Sequence, residues 1–405
     1  MAVNLLSVEE ALARVLADAQ PLPAVEVPLI DAHGRVLAAD LVARRTQPPD
    51  AVSAMDGYAV RAADVASAPA TLKVIGEVAA GKPLDHVLQA GEAARIFTGG
   101  VVPPGADAVV VQEQATRDGD KVTMKNATVA GKNIRPRGLD FKEGEVLFEK
   151  GHRLSSRDLA LIAAMNHPRA PVHRKPKVAI FATGDELVPP GATPGPGQIV
   201  YSNGFALMAL LRAEGAEVVD LGIVADRLED TVAAVRRARE INADVLVTTG
   251  GASVGDYDLV QPAFAAEGMT LSFWKIAMRP GRPLMNGRLG PMHVLGLPGN
   301  PVSSYVCALL FAVPLLRKLA GRSDIAIETV SAVLGADMKA NDERADYVRA
   351  TLTPTESGPP VATPFPVQDS STMGRLARAG CLIVRAPHAP AVSKGALCSI
   401  VKLPL

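Results

Sequence analysis

The residues best able to do chemistry lie where apolar runs stop. Val245-Leu246-Val247-Thr248-Thr249 gives way to Gly250-Gly251-Ala252-Ser253-Val254-Gly255-Asp256-Tyr257-Asp258. Glycines and hydroxyls placed after a buried strand let backbone N–H groups approach an anion closely. The same logic recurs at Val294-Leu295-Gly296-Leu297-Pro298-Gly299-Asn300-Pro301-Val302-Ser303-Ser304, followed by an apolar run through Leu319 that fits a buried helix. Ser303 and Ser304 then fall in the first helical turn, where free N–H groups and the dipole favour negative charge. A third run, from Val178 to Thr183, ends in Gly184-Asp185-Glu186. Such turns suit phosphate or another oxyanion.

Glu186, Asp256 and Asp258 stand beside these turns, an unfavourable arrangement unless a positive charge lies between. A divalent cation such as Mg²⁺, held by one or two carboxylates plus phosphate oxygens, resolves the conflict. The alternative for Asp256 and Asp258 is capping of the helix that follows. Lys275, Arg279 and Arg282 place three cations within eight residues around Pro280-Gly281. That pattern suits an oxyanion, and it also describes a solvated surface turn. The 7 histidines show neither HxxxH nor HxH spacing, and no Walker A or GxGxxG loop is present. Histidine-metal, triad and those two kinds of nucleotide chemistry have little support.

These turns need a rigid sheet behind them. From Lys177, apolar runs alternate with amphipathic stretches: Val178–Thr183, a helix at 203–214, a strand at 218–223, a helix at 228–239, Val245–Thr249, a helix at 259–266, strands near Phe273 and Val294, and the helix from Val302. Alternation of this kind predicts a doubly wound parallel sheet, with ligands outside the carboxyl ends of its strands.

The remaining organisation follows from punctuation. Ser7-Val8-Glu9-Glu10 fits a capping box for an amphipathic helix ending near Gln20-Pro21. Short apolar runs separated by Gly, Pro and Asp make the stretch from Val25 to about Gly151 β-rich, and a helix runs from Ser155 to Met165. The expected divisions are 1–45 with 141–176 as a helical linking domain, 46–140 as a β-rich domain, 177–321 as the doubly wound domain and 322–405 as a small β-barrel domain. The fold class is therefore α/β multidomain, as a length of 405 residues demands.

Composition narrows the ligand. A balance of 42 basic and 42 acidic residues provides no field for nucleic acid or an anionic membrane, so a small molecule is expected. Cys307, Cys381 and Cys398 lack paired spacing and read as core residues of a reducing compartment. The first fifteen residues do not form a signal peptide, and the apolar stretch Val306–Leu316 is about half a bilayer span and contains Pro314. A cytoplasmic protein is expected.

Three further clusters, Met55-Asp56-Gly57-Tyr58-Ala59, Phe97-Thr98-Gly99-Gly100 and Arg135-Pro136-Arg137-Gly138-Leu139-Asp140, each read singly as a β-turn. As a set the motifs say more. Met55–Val60, Phe97–Gly100 with Pro104–Val110, Ala182–Leu187, Thr249–Asp258 and Leu297–Ser303 occur in the order that resembles the MoeA family of molybdopterin molybdenumtransferases, which includes the gephyrin E domain. The likeness runs from about residue 7 to the C-terminus.

The resemblance implies an enzyme that takes adenylated molybdopterin, inserts molybdate at its dithiolene sulfurs and releases AMP with a divalent metal. On matching positions it implies Asp56, Thr98, Asp140, Glu186, Asp226 and Asp258 as catalytic residues, with Lys275, Pro298 and Pro301 in the same site. Gly250, Gly251, Ser253, Arg279, Arg282, Gly299, Asn300, Ser303, Arg349 and Ser370 complete the expected substrate contacts, and Glu186, Asp256 and Asp258 the expected Mg²⁺ ligands. It also implies an elongated homodimer with a site shared between subunits, and a molybdopterin adenylyltransferase as partner. Arg279 and Arg282 stand where many members carry lysines, and Ala379-Gly380-Cys381 replaces the usual Ala-Asp/Asn-Gly. The rival readings are a molybdopterin adenylyltransferase, which has no need of the Asp56 and Thr98 region, and a gephyrin-like scaffold, which needs a long linker and an added domain.

Overall fold

In the computed structural model, which describes residues 5–251 and 259–404, the first helix is Val8–Ala17. Ser7 Oγ accepts the Glu10 N–H at 3.1 Å and Glu10 Oε2 accepts the Ser7 N–H at 3.0 Å, which is the reciprocal capping box expected of this sequence. The helix stops at Asp18, before Gln20-Pro21, and buries Val8, Ala11 and Val15 on one face against the core of the central sheet.

The β-rich stretch forms a six-stranded sheet in the order Ala108–Val111, Gly57–Val60, Glu92–Ile96, Ala70–Val78, Lys121–Met124, Ala115–Asp118. Two of its turns are laced together: Gly99 N–H donates to Ser53 O and Ser53 N–H to Gly100 O, both at 2.9 Å. Helix Ser156–Ala164 and the antiparallel pair Ala24–Pro28 with Arg169–His173 connect this sheet to the next.

The central sheet has the order Glu217–Val224, Lys177–Thr183, Val245–Thr249, Met292–Leu297, Pro283–Leu289, Thr270–Lys275. Its first four strands are parallel. Alternate residues face opposite layers. Val178 and Ile180 join Leu207, Leu211 and Phe311 on one side; Ala179 and Phe181 join Val235 and Phe264 on the other. Fully burying Phe181 or Phe311 stabilises this sandwich by roughly 1.5–3 kcal/mol each.

A correction applies at one edge, where the sheet is mixed. Pro283–Leu289 is a strand that sequence reading misses, antiparallel to both Met292–Leu297 and Thr270–Lys275. It begins with Pro and carries Asn286 and Arg288, features that read as a loop. The fold satisfies Asn286, which is buried and donates to Val294 O at 3.3 Å.

The helix from Pro301 contains a π turn at Ala308–Ala312 before Val313–Leu319. Pro314 has no N–H for the Leu310 carbonyl and its ring crowds that turn, so the widened register accommodates it. Pro301–Leu319 is long and apolar enough to cross a bilayer by length alone, longer than Val306–Leu316 suggested. However, 83% of that window is buried inside the protein, where it forms the central core helix.

Beyond it, Ala345–Thr353, Val361–Pro364, Val330–Leu334, Leu397–Lys402 and Cys381–Arg385 close into a five-stranded barrel, because the first strand also pairs with the last. Cys307 and Cys381 are buried as expected of core thiols, whereas Cys398 is half-buried.

Candidate active site

The parallel strands Lys177–Thr183 and Val245–Thr249 are neighbours, yet the chain leaves the first in one direction and returns to place the second on its other side. Ligand crevices form at such switch points. Here a cavity of about 750 Å³ opens at the carboxyl ends, walled by Gly184 and Glu186, by Thr249-Gly250-Gly251 and by Pro298-Gly299-Asn300-Pro301. Asp226, at the end of the edge strand, also lines it.

Close approach of the turns is a steric matter. Gly250 has φ +87°, and a Cβ there would lie 2.5 Å from Thr183 O. Only glycine lets these strand ends meet. The Pro298-Gly299 turn is held from two directions, since Asn203 Nδ2 donates to Gly299 O at 2.6 Å and Ser304 Oγ donates to Pro298 O. Asn203 and Tyr201 line the cavity and were not among the expected site residues. The signal was available in Ser202-Asn203-Gly204, a polar start to an apolar helix.

One rim is strongly acidic. Asp226 N–H donates to Asp185 Oδ1 at 3.1 Å, and Asp185 N–H returns a bond to Asp226 Oδ2 at 3.3 Å. Burial pushes the Asp226 carboxyl above the usual carboxylate range, and the charges of Asp185 and Glu186 push it the same way. An all-oxygen rim with repelling carboxylates fits a hard divalent cation, whose charge would relieve the crowding. Among the described residues no set of three metal-ligating side chains is preassembled. Asp256 and Asp258, the other expected ligands, and Ser253 lie outside the described residues.

Other expected contacts lie outside the cavity wall. Arg279 donates to Asp346 at 2.6 Å and Asp342 at 3.2 Å, so its guanidinium joins the sheet to the barrel and is committed to carboxylates. The cause is the short strand Met278–Arg279, which pairs with Ala345-Asp346. Lys275 is half-buried with its ammonium 5.9 Å from the Trp274 ring centre, and neither it nor Arg282 is in the cavity wall. Ser303 is buried and not in the cavity wall, and the Val302 N–H at the start of the same helix donates to Ser370 O at 3.1 Å.

Arg349 is fully buried and makes no wall either. Its guanidinium donates to Asp369 O at 2.9 Å and Thr372 Oγ1 at 2.7 Å, holding the loop whose Ser371 and Met373 do line the cavity. The barrel therefore reaches the site through residues 369–373, one to three positions from the expected Ser370.

Asp56, Thr98 and Asp140 are exposed and absent from this wall. The fold nonetheless unites the first two: Asp56 Oδ1 accepts from both the N–H and the hydroxyl of Thr98. Asp140 N–H donates to Gln47 O at 3.0 Å in a neighbouring turn.

Comparison with known proteins covers the whole of this architecture. Residues 6–166 match the family described as MoeA N-terminal region (domain I and II), residues 179–318 the one described as probable molybdopterin binding domain, and residues 331–403 the one described as MoeA C-terminal region (domain IV). A molybdopterin molybdenumtransferase of Haemophilus influenzae is 35% identical over 91% of this chain and 91% of its own. One from Bacillus subtilis is 35% identical over 94% and 90%. Two solved structures of a molybdopterin biosynthesis MoeA protein from Pyrococcus horikoshii have TM-scores of 0.86 and 0.83, at 31% and 29% identity, covering 98% and 99% of this chain and 99% and 100% of theirs.

Proposed function

The chain belongs to the MoeA family and is a transferase of molybdenum cofactor biosynthesis, and we propose that it inserts molybdate into adenylated molybdopterin with release of AMP. The observation that carries this reading is the cavity of about 750 Å³ closed by two glycine-bearing strand-end turns beside an acidic rim. Molybdopterin and molybdate are its substrates.

Gly250 and Gly251, with Ser253, Gly299 and Asn300, cradle the pterin phosphate with backbone N–H groups, and Pro298 and Pro301, which have no N–H, fix the shape of their turn. Lys275 and Arg282, which neighbour the wall residue Pro283, and Ser303 attract the molybdate oxyanion. Arg349 and Ser370 act by holding the loop that closes the cavity from the barrel side. Glu186, Asp256 and Asp258 would hold Mg²⁺, and Asp226 orients that rim. Bound there, Mg²⁺ supplies charge that offsets phosphate oxygens.

The protein works as a cytoplasmic homodimer fed by a molybdopterin adenylyltransferase. Asp56, Thr98 and Asp140 are exposed and outside the wall of their own cavity, which supports their facing the cavity of a second subunit. The test is AMP release from purified adenylated molybdopterin. Release that requires both molybdate and Mg²⁺ is expected; ATP-dependent adenylylation of molybdopterin, with no AMP formed, would overturn the reading in favour of an adenylyltransferase.

A further inference from the structure

The amino ends of the parallel strands, a sheet's length from the cavity above, carry a second cleft whose lining is predominantly basic. A cavity of about 250 Å³ there is bordered by Arg35, Arg153, Arg174, Lys175, Arg212 and Arg322, against the single lining carboxylate Glu214. It continues into a second hollow of about 490 Å³ that shares Arg35, Arg174 and Lys175 and adds Lys177 and Glu217.

Two of the six cations are neutralised. Arg174 grips Asp244 with two bonds at 2.6 and 2.7 Å, and Arg322 pairs with Asp324 and with Glu214 at 2.7 Å. Among the described residues the side chains of the others meet only carbonyl oxygens or nothing. Arg35 donates to His173 O at 2.9 Å, Arg153 to Gly34 O at 3.3 Å and Arg212 to Val218 O at 3.4 Å. The Lys175 side chain is exposed, and its ammonium has no ion pair or hydrogen bond among the described residues. A carbonyl satisfies a donor but does not cancel its charge.

Cations commonly gather at helix C-termini, and Arg212, in the last turn of Asn203–Ala213, is accounted for in that way. Arg35, Arg153 and Lys175 are on no helix. They arrive from three separate connections, and only the fold brings them to one concave surface. Asp31 is the carboxylate that acts on Arg35, while burial lowers the pKa of its guanidinium. Partial loss of water strengthens the attraction of such a group for a bound anion.

We propose that this cleft binds a phosphate dianion, either inorganic phosphate or the phosphate of a mononucleotide. The guanidinium fork of Arg35 suits bidentate contact with a tetrahedral oxyanion, and Lys175 and Arg153 add point charge at the mouth. A cavity of about 250 Å³ that opens into a hollow of about 490 Å³ has room for such a group.

Isothermal titration of the full-length protein at constant ionic strength and about pH 8, where phosphate is dianionic, tests this. Inorganic phosphate is expected to bind once per chain. The double variant Arg153→Gln/Lys175→Gln, which alters two exposed side chains without carboxylate partners, is expected to bind it at least tenfold more weakly. A control with Lys125→Gln/Lys339→Gln, exposed lysines elsewhere, is expected to match the parent. A parallel titration with AMP separates the sources. AMP binding that is tighter than phosphate and weakened in the double variant identifies a nucleotide ligand, whereas AMP binding untouched by the variant identifies inorganic phosphate. The proposal is overturned if neither ligand binds, if the double variant binds both as the parent does, or if an oligoglutamate peptide displaces phosphate from the parent.

Discussion

Asp56 and Thr98, 42 residues apart, share one carboxylate oxygen: Asp56 Oδ1 accepts the Thr98 N–H at 2.7 Å and the Thr98 hydroxyl at 2.8 Å. The backbone bond, then the hydroxyl, holds the Asp56 carboxyl below its ordinary range. The pair is thus a fixed, exposed anion on a turn whose own chain leaves it unused. If it serves a neighbouring subunit's cavity, two defective proteins should complement. Mixing Asp56→Ala with Glu186→Ala is expected to restore part of the AMP release through heterodimers with one intact site. No recovery after verified subunit exchange counts against a shared site.

Glu186 is exposed on the cavity rim, so its carboxylate contributes little to the core. Glu186→Gln keeps the shape and removes the charge that would hold the cation. Turnover is expected to fall at least about a hundredfold, equivalent to ~3 kcal/mol of barrier. Stability should stay within about 0.5 kcal/mol, as for most surface changes. Single-turnover AMP release and a melting curve check both; parental turnover would remove Glu186 from the mechanism.

The two basic positions Arg279 and Lys275 should separate. Arg279 bridges to Asp342 and Asp346 of the barrel, so Arg279→Gln is expected to lower stability by about 1 kcal/mol and to leave the KM for molybdate nearly unchanged. Lys275 has no such partner among the described residues, and Lys275→Gln is expected to raise that KM at least tenfold. Steady-state kinetics over a molybdate series distinguishes them, and equal KM values in both variants would refute the division.

His293 gives the fold an acid-sensitive point. Its ring meets Arg288, which can only donate, so Nε2 is the acceptor and the imidazole is neutral. Burial, and next the Arg288 charge, lower it from 6.5 to about 4. Since the folded pKa lies below the unfolded one, the stability it contributes is complete above pH 6.5 and is lost as pH falls toward about 4. That loss is on the order of 3 kcal/mol. His293→Gln should therefore flatten the dependence of urea-unfolding stability on pH across this window. A slope equal to the parent's would show that other groups carry it.

Much of this was legible because it is local. Apolar runs ending in Gly, Pro and acid marked the strand-end turns at Gly184, Gly250 and Gly299, and Ser7 with Glu10 marked the first helix, since period and capping depend on residues a few positions apart. The motifs in sequence order carried the family. Which partners the long polar side chains would take depended on the fold. Arg279 was captured more than sixty residues on, by Asp342 and by Asp346 of a barrel strand; Arg349 was buried beneath a loop; and Asn286 was satisfied inside a strand that reads as a loop. A guanidinium or an amide finds whichever acceptor the fold brings within reach, across separations that sequence spacing does not encode. The sequence therefore determined where chemistry could occur, and only the tertiary structure decided which charges remain available for it.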